Sequence, residues 1–223
     1  MNEDPLTTNS SMRLSAIDTL ITHVDRAIRT LHMGTTRAHR ESPAEPVTKA
    51  DTLNHRERRH AAGLMRVNHT GEVCAQALYS GQSLTAKSPE VRESMLESAL
   101  EEEDHLAWCE KRLLELDSRT SLLNPIFYAG SFAMGAIAGL LGDKTSLGFI
   151  AATEDRVCEH LRSHLHKLPK RDKRSRLIVE KMIEDETKHG EKAIAAGGKA
   201  FSEAQKNAMA SLATLMTKTT YRI

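Results

Sequence analysis

The chain has 223 residues, 39% of them hydrophobic, which is enough to bury a core and excludes general disorder. Four Phe, three Tyr, one Trp and 12 Gly, against abundant Ala, Leu, Glu, Lys and Arg, give the balance of an all-α protein and leave little for a barrel or sandwich. Lys and Arg (31) against Asp and Glu (30) leave +1, so no field recruits nucleic acid, and three cysteines without a C-x-x-C pair suggest neither a disulfide framework nor a zinc site.

The opening residues, MNEDPLTTNSSM, lack the layout of a signal peptide, and the expected location is inside the cell. Leu14, Ile17, Ile21, Val24, Ile28 and Leu31 recur at three- and four-residue intervals and predict a detached amphipathic helix. HMGTTRAHRESPAEPVTKADTLNH follows with two prolines and no periodicity, which predicts a linker or long surface loop. Residues 1–56 thus read as N-terminal helix and linker, and 57–223 as the main domain. Within it, helices are predicted at 57–84, 89–117, 147–168, 172–196 and 202–218. Ser88-Pro89 and Asn124-Pro125 each offer a cap and a first-turn proline, Ser202 with Gln205 makes a capping box, and Gly197-Gly198 supplies a stop.

Residues 120–142 carry no formal charge over 23 positions, long enough to span a bilayer. Ser131, Gly135 and Gly139 form a small-residue ridge suited to close packing on another helix. Asn124-Pro125, the glycines and the need for both halves of one bundle to meet favour an apolar helix lying on the bundle and partly in a membrane face. The basic run from Lys167 to Arg176, around Asp172, suits either anionic lipid or a solvated hairpin tip.

Four helices place an acid on an otherwise apolar stripe. Glu72 shares a face with Met65, Ala75 and Tyr79; Glu102 lies with Val91, Met95, Ala99, Leu106, Cys109 and Leu113; Glu154 with Leu147, Ile150, Ala151, Val157, Cys158, Leu161 and Leu165; Glu186 with Ile178, Val179, Met182 and Ala193. Buried unpaired carboxylates are costly, and four of them call for a metal. Glu102 and Glu186 are each followed by histidine three residues later, His105 and His189, on the same helix face. The spacing alone carries little weight, since Glu57 and His60 repeat it at what reads as an exposed helix start. Place in a repeat is what distinguishes the other two. Glu72 and Glu102 are 30 residues apart about the turn TAKSP, and Glu154 and Glu186 are 32 apart about LPKRDK. Each pair therefore meets at equal depth, roughly 22 Å up its own hairpin. One Glu from each of two helices and one Glu-x-x-His from each of two others is a dinuclear carboxylate ligand set, and hard oxygens with one imidazole per ion suit Fe or Mn. In EEED (101–104) only Glu102 points into the stripe, so its neighbours read as solvated. Cys74, Cys109 and Cys158 read as packing residues.

At these residues the sequence resembles the demethoxyubiquinol hydroxylase family of ubiquinone biosynthesis, membrane-bound di-iron proteins of ferritin-like fold. The segments that carry the resemblance are RVNHTGEVCAQALYSGQ (66–82), EEEDHL (101–106), TEDRVCEHL (153–161) and DETKHG (185–190), within about residues 57–223. It implies a ferritin-like four-helix bundle with a di-iron centre, flanked by the N-terminal amphipathic helix and by extra apolar and C-terminal helices. It implies Glu72, Glu102, His105, Glu154, Glu186 and His189 as ligands to two Fe ions per subunit. It also implies His160 as a catalytic histidine near the site aiding proton or electron transfer, with Leu161 where some members have tyrosine. The implied reaction is O₂-dependent hydroxylation of a polyprenylated demethoxy-benzoquinol ring, with electrons from an external donor or the quinol and the apolar helix taking the isoprenoid tail. Implied partners are the cytoplasmic face of the cell membrane and other ubiquinone-biosynthesis proteins. Two other classes share parts of this pattern. One is a ferroxidase or iron-storage subunit, whose shell-forming surface the 120–142 stretch opposes; the other is a non-enzymatic membrane adaptor with its acids paired to basic residues.

Overall fold

The computed structural model describes residues 15–47 and 52–223; Leu14 of the first stripe and residues 48–51 of the predicted linker lie outside it. The described residues form helices α1 (Ala16–Leu31), α2 (His55–Thr85), α3 (Pro89–Glu115), α4 (Asn124–Leu140), α5 (Asp143–Lys167), α6 (Lys173–Ala195) and α7 (Glu203–Thr220), with no strand among them. Two antiparallel hairpins, α2/α3 and α5/α6, face each other as a four-helix bundle, and the all-α expectation holds.

Local chemistry sets the ends of these helices. Ser15 with Asp18, Asn54 with Glu57 and Ser202 with Gln205 form capping boxes, and Ser88 caps α3 with Pro89 in its first turn. Beyond α6, Gly197 takes φ +94°, a left-handed conformation that glycine adopts without strain. Asn124 departs from expectation. It is the first residue of α4, not a cap, and its buried side chain accepts from Thr70 Oγ1 (2.8 Å) and meets His69 Nδ1 (3.3 Å) on α2.

Met65, Leu106, Leu113, Leu161, Ile178 and Met182 are fully buried, each stabilising the bundle by about 1.5–3 kcal/mol relative to exposure. The crossover helix α4 lies along α2 in close backbone contact, as the small-residue ridge predicts. A Cβ at Gly135 would meet the Leu78 carbonyl oxygen at 2.3 Å, and one at Gly139 would meet Thr85 Oγ1 at 2.0 Å. The opposite face of α4 leaves Ile126, Ile137, Leu140 and Leu141 exposed.

The first helix is not detached. Ala27 and Leu31 pack against the cluster of Val73, Leu106 and Tyr128, and His23 meets Phe132 edge-on at 6.0 Å. Its apolar stripe nonetheless points largely outward, with Ile17, Leu20, Ile21, Val24 and Ile28 all exposed. Hydrophobic periodicity located the stripe correctly but not the side on which the protein lies. Among the basic residues at the α5/α6 turn, Arg174 pairs with Glu115 (2.7 Å), Arg176 donates to the Leu165 carbonyl (2.7 Å), and Asp172 is buried against Arg112 (2.8 Å). Arg174 and Arg176 are thus tied into the fold, while Lys167, Lys170, Arg171 and Lys173 are exposed.

Candidate metal centre

The bundle brings together the six residues singled out by spacing. Glu72 on α2, Glu102 and His105 on α3, Glu154 on α5, and Glu186 and His189 on α6 are all buried. They form two groups, Glu72/Glu102/His105/Glu186 and Glu102/Glu154/Glu186/His189, whose donor atoms lie within 4.8 Å of one another in each group. Glu102 and Glu186 belong to both, so the arrangement has two halves joined by two carboxylates. His105 Nδ1 lies 3.1 Å from Glu102 Oε2, 3.0 Å from Glu186 Oε1 and 3.5 Å from Glu72 Oε2. His189 Nδ1 lies 3.0 Å from Glu186 Oε2 and 3.3 Å from Glu102 Oε1.

The electrostatics are those of a cation site. Burial pushes the Glu72 carboxyl well above its usual range, reinforced by Glu102, and does the same to Glu154, reinforced by Glu186 and Glu102. Burial alone would lower His189, but hydrogen bonding to Glu102 and Glu186 outweighs it and pushes the imidazole up to about 12. Glu102 and Glu186 each turn one carboxylate oxygen to His105 and the other to His189, and their buried Oε1 atoms have no well-aligned hydrogen bond. The charge of four carboxylates would be balanced by two divalent cations. The oxygen-rich donor set with one imidazole per half suits hard or borderline metals such as Fe or Mn.

Three residues that the spacing argument did not select complete the centre. Glu101 Oε2 takes the outer nitrogen of His189 (2.6 Å), Asp185 Oδ2 takes that of His105 (3.3 Å), and Tyr79 donates to Glu154 Oε1 (2.8 Å). Such contacts fix imidazole orientation. Glu101 and Asp185 each precede a shared glutamate by one position and serve the histidine of the opposite motif. The reading of Glu101, Glu103 and Asp104 as solvated therefore needs correction: Glu101 reaches His189, and Asp104 is buried. The signal available in the sequence was the acid directly before each of the two shared glutamates, Glu101 before Glu102 and Asp185 before Glu186.

His160 is not brought to the cluster. Its ring packs against His164 at 4.0 Å with Nε2 unpartnered, and burial with Lys167 lowers it to about 4; His164 Nδ1 in turn meets Asn68 Oδ1 at 2.6 Å, one helical turn from Glu72. Glu57 and His60 have structural roles. The Glu57 carboxylate accepts from the Asn54 backbone N–H (3.0 Å), and His60 binds the Tyr221 hydroxyl (2.6 Å).

Cys109 and Cys158 are packing residues, and burial raises both thiols while raising Cys74 to about 11. Cys109→Ser should cost about 1–3 kcal/mol, read as a lower unfolding temperature, while metal per chain stays at the parent value by elemental analysis.

A cavity of about 490 Å³ opens between α5, α6 and the segment Ala200–Lys206. Glu154 and Glu186 line it, together with the small residues Gly148, Ala151, Ala152 and Gly190. α4 contributes no lining residue, so this opening is separate from the apolar helix expected to take a lipid tail.

Residues 59–220 match the family model described as ubiquinone biosynthesis protein COQ7. The chain is 54% identical over 215 residues to the 3-demethoxyubiquinol 3-hydroxylase of Ectopseudomonas mendocina, covering 96% of this chain and 99% of that protein. It is 56% identical over 210 residues to the protein of the same name from Pseudomonas aeruginosa, covering 94% and 97%. With that from Acinetobacter baumannii the identity is 56% over 207 residues, covering 93% and 97%.

Proposed function

The chain belongs to the COQ7 family of ubiquinone biosynthesis proteins, and we infer from that membership and the buried two-part carboxylate–histidine centre that it is a 3-demethoxyubiquinol 3-hydroxylase. The observation that carries the reading is the pair of carboxylate–histidine groups sharing Glu102 and Glu186, beside a cavity that Glu154 and Glu186 line. Glu72 with His105 and Glu154 with His189 would each hold one iron, with Glu102 and Glu186 spanning both. Two irons per chain would supply O₂ activation and transfer of one oxygen atom to the ring carbon, the other oxygen leaving as water with two electrons from an external donor or the quinol.

The protein's part is binding and exclusion. Small residues on α5 and α6 admit a flat ring to the Glu154/Glu186 side, and 490 Å³ holds the ring and the start of a polyprenyl chain but not a long one. Gly190 guards this passage: a Cβ there has the Glu154 Cβ as its neighbour at 3.5 Å and otherwise grows into open space. Gly190→Leu should retain metal and fold but lower kcat/KM by about tenfold or more, because it occupies the ring's volume; unchanged turnover would remove the substrate from this cavity. His160, neutral at neutral pH, is proposed to assist proton movement at one remove, through His164 and Asn68.

Among the described residues no helix is long and apolar enough to cross a membrane. The outward residues of α4 and α1 are proposed to rest on the cytoplasmic face of the cell membrane, where the substrate tail resides and where other ubiquinone-biosynthesis proteins gather. Residues 57–223 are proposed to carry the chemistry, with the described residues 15–47 packed against them. Ile137, 57% exposed, is the probe. Ile137→Lys should weaken flotation with phospholipid vesicles by about tenfold, the worth of one buried aliphatic side chain, with metal content unchanged.

The decisive test supplies the iron-loaded protein with a demethoxyubiquinol, a reductant and ¹⁸O₂. One ¹⁸O atom in the ring product is expected. Iron oxidation with no ring product would establish the ferroxidase reading instead.

A further inference from the structure

The described residues 32–47 of the aperiodic segment that follows α1 form a strap laid along α3. The Gly34 backbone N–H donates to Glu110 Oε2 (3.1 Å), Arg40 N–H to Asp104 Oδ1 (3.2 Å) and Trp108 Nε1 to the Arg40 carbonyl (3.4 Å), while Lys111 pairs with Glu45 (2.6 Å). Ala44 is buried in the core with Met65 and Trp108. The strap delivers one side chain to the metal centre. The Arg40 guanidinium lies 5.1 Å over the Trp108 ring, faces Asp104 through Nε, and donates from Nη1 to Asp185 Oδ2 at 2.9 Å. That same oxygen receives His105 Nε2 at 3.3 Å.

We propose that Arg40 is a positioning residue of the metal centre: it fixes Asp185, which fixes the His105 imidazole, so the N-terminal strap forms part of one half of the site. This rests on the ligand role given to His105. The fork geometry is what the task needs, because one planar guanidinium engages two carboxylates on different helices, α3 and α6, whereas an ammonium is a single point charge. The two halves differ accordingly. His189 is held by Glu101, whose side chain is 52% exposed, while His105 is held by an Asp185 side chain only 5% exposed and clamped from outside the bundle.

The test uses the full chain loaded with Co²⁺, whose visible absorption reports imidazole ligation, and follows metal release to a chelator. Arg40→Gln should alter the spectrum and speed release of one of the two ions by about 10- to 100-fold, the range for losing an outer contact of a ligand histidine. Arg40→Lys should not restore it. Asp185→Asn should reproduce the effect, and Arg40→Gln added to Asp185→Asn should make it no worse, because Arg40 acts through Asp185. Since Arg40→Gln leaves Asp104 buried and uncompensated, Arg40→Gln/Asp104→Asn is made alongside and should show the same faster release with parental helix content. Parental spectrum and release in both Arg40 variants, or an Arg40 effect that adds fully to that of Asp185→Asn, would overturn the proposal. Failure of the parent to bind Co²⁺ through imidazole would instead overturn the ligand reading on which it rests.

Discussion

Glu102→Ala should empty both halves of the metal centre. Glu102 belongs to both ligand groups, whereas Glu72 and Glu154 belong to one each, so Glu72→Ala or Glu154→Ala should leave about one metal ion per chain where Glu102→Ala leaves none. Hydroxylation should fall by more than about a hundredfold in all three, since losing a ligand exceeds the 10- to 100-fold effect typical of its outer contacts. Helix content by circular dichroism should stay at the parent value, because the aliphatic core around the centre is untouched. The metal-free protein offers a second readout. Burial and the neighbouring Glu186 and Glu102 disfavour a charged Glu154 and push its carboxyl well above the usual range, so Glu154→Gln, which keeps a partner for Tyr79, should unfold at a higher temperature than metal-free parent. Glu57→Ala, by contrast, should lose only its cap, about 1 kcal/mol, and no metal. Two metals retained in Glu102→Ala would refute the shared-carboxylate arrangement.

Gly81→Ala should be strongly destabilising for the addition of a single methyl group. In most helices replacing Gly by Ala is favourable by up to about 1 kcal/mol. Here the added Cβ would sit 2.2 Å from the Phe132 carbonyl oxygen and 2.7 Å from the Ala136 nitrogen, both backbone atoms of α4 that cannot rotate away. Relief requires α4 to lift off α2, and a cost of about 3 kcal/mol or more is expected, read as a fall in unfolding temperature of about 6–12 °C. Gly130→Ala, on α4 with nothing within 4 Å of its Cβ, is the control and should be neutral or mildly stabilising.

Helix type, the two hairpins and the six inward residues were legible because each depends on local periodicity and on equal spacing from a turn. The outer contacts were not. Arg40 acts on Asp185 across 145 positions and on Asp104 across 64, from a segment with no periodicity to mark its partner. The run at 101–104 was misread because a helical wheel sorts residues by direction from one axis. Glu101 and Asp104 point away from their own stripe and are met there by α6 and by the strap. The outward turn of α1 escaped for a related reason, since an amphipathic pattern states where the stripe is and not which side the bundle occupies.

The seam between α3 and α6 has a mechanical consequence. Along it, Arg112 meets Asp172 (2.8 Å), His105 meets Asp185 (3.3 Å), Glu101 meets His189 (2.6 Å) and Glu97 meets Lys192 (2.9 Å), in strict antiparallel order. An oily seam tolerates slippage, whereas a row of directional, oppositely charged contacts does not. A slide of one turn, about 5.4 Å, would break all four together and strand the buried carboxylates of Asp172 and Asp185. The two helices are therefore latched in register by contacts between the protein's own side chains, the two central ones made on the outer nitrogens of His105 and His189.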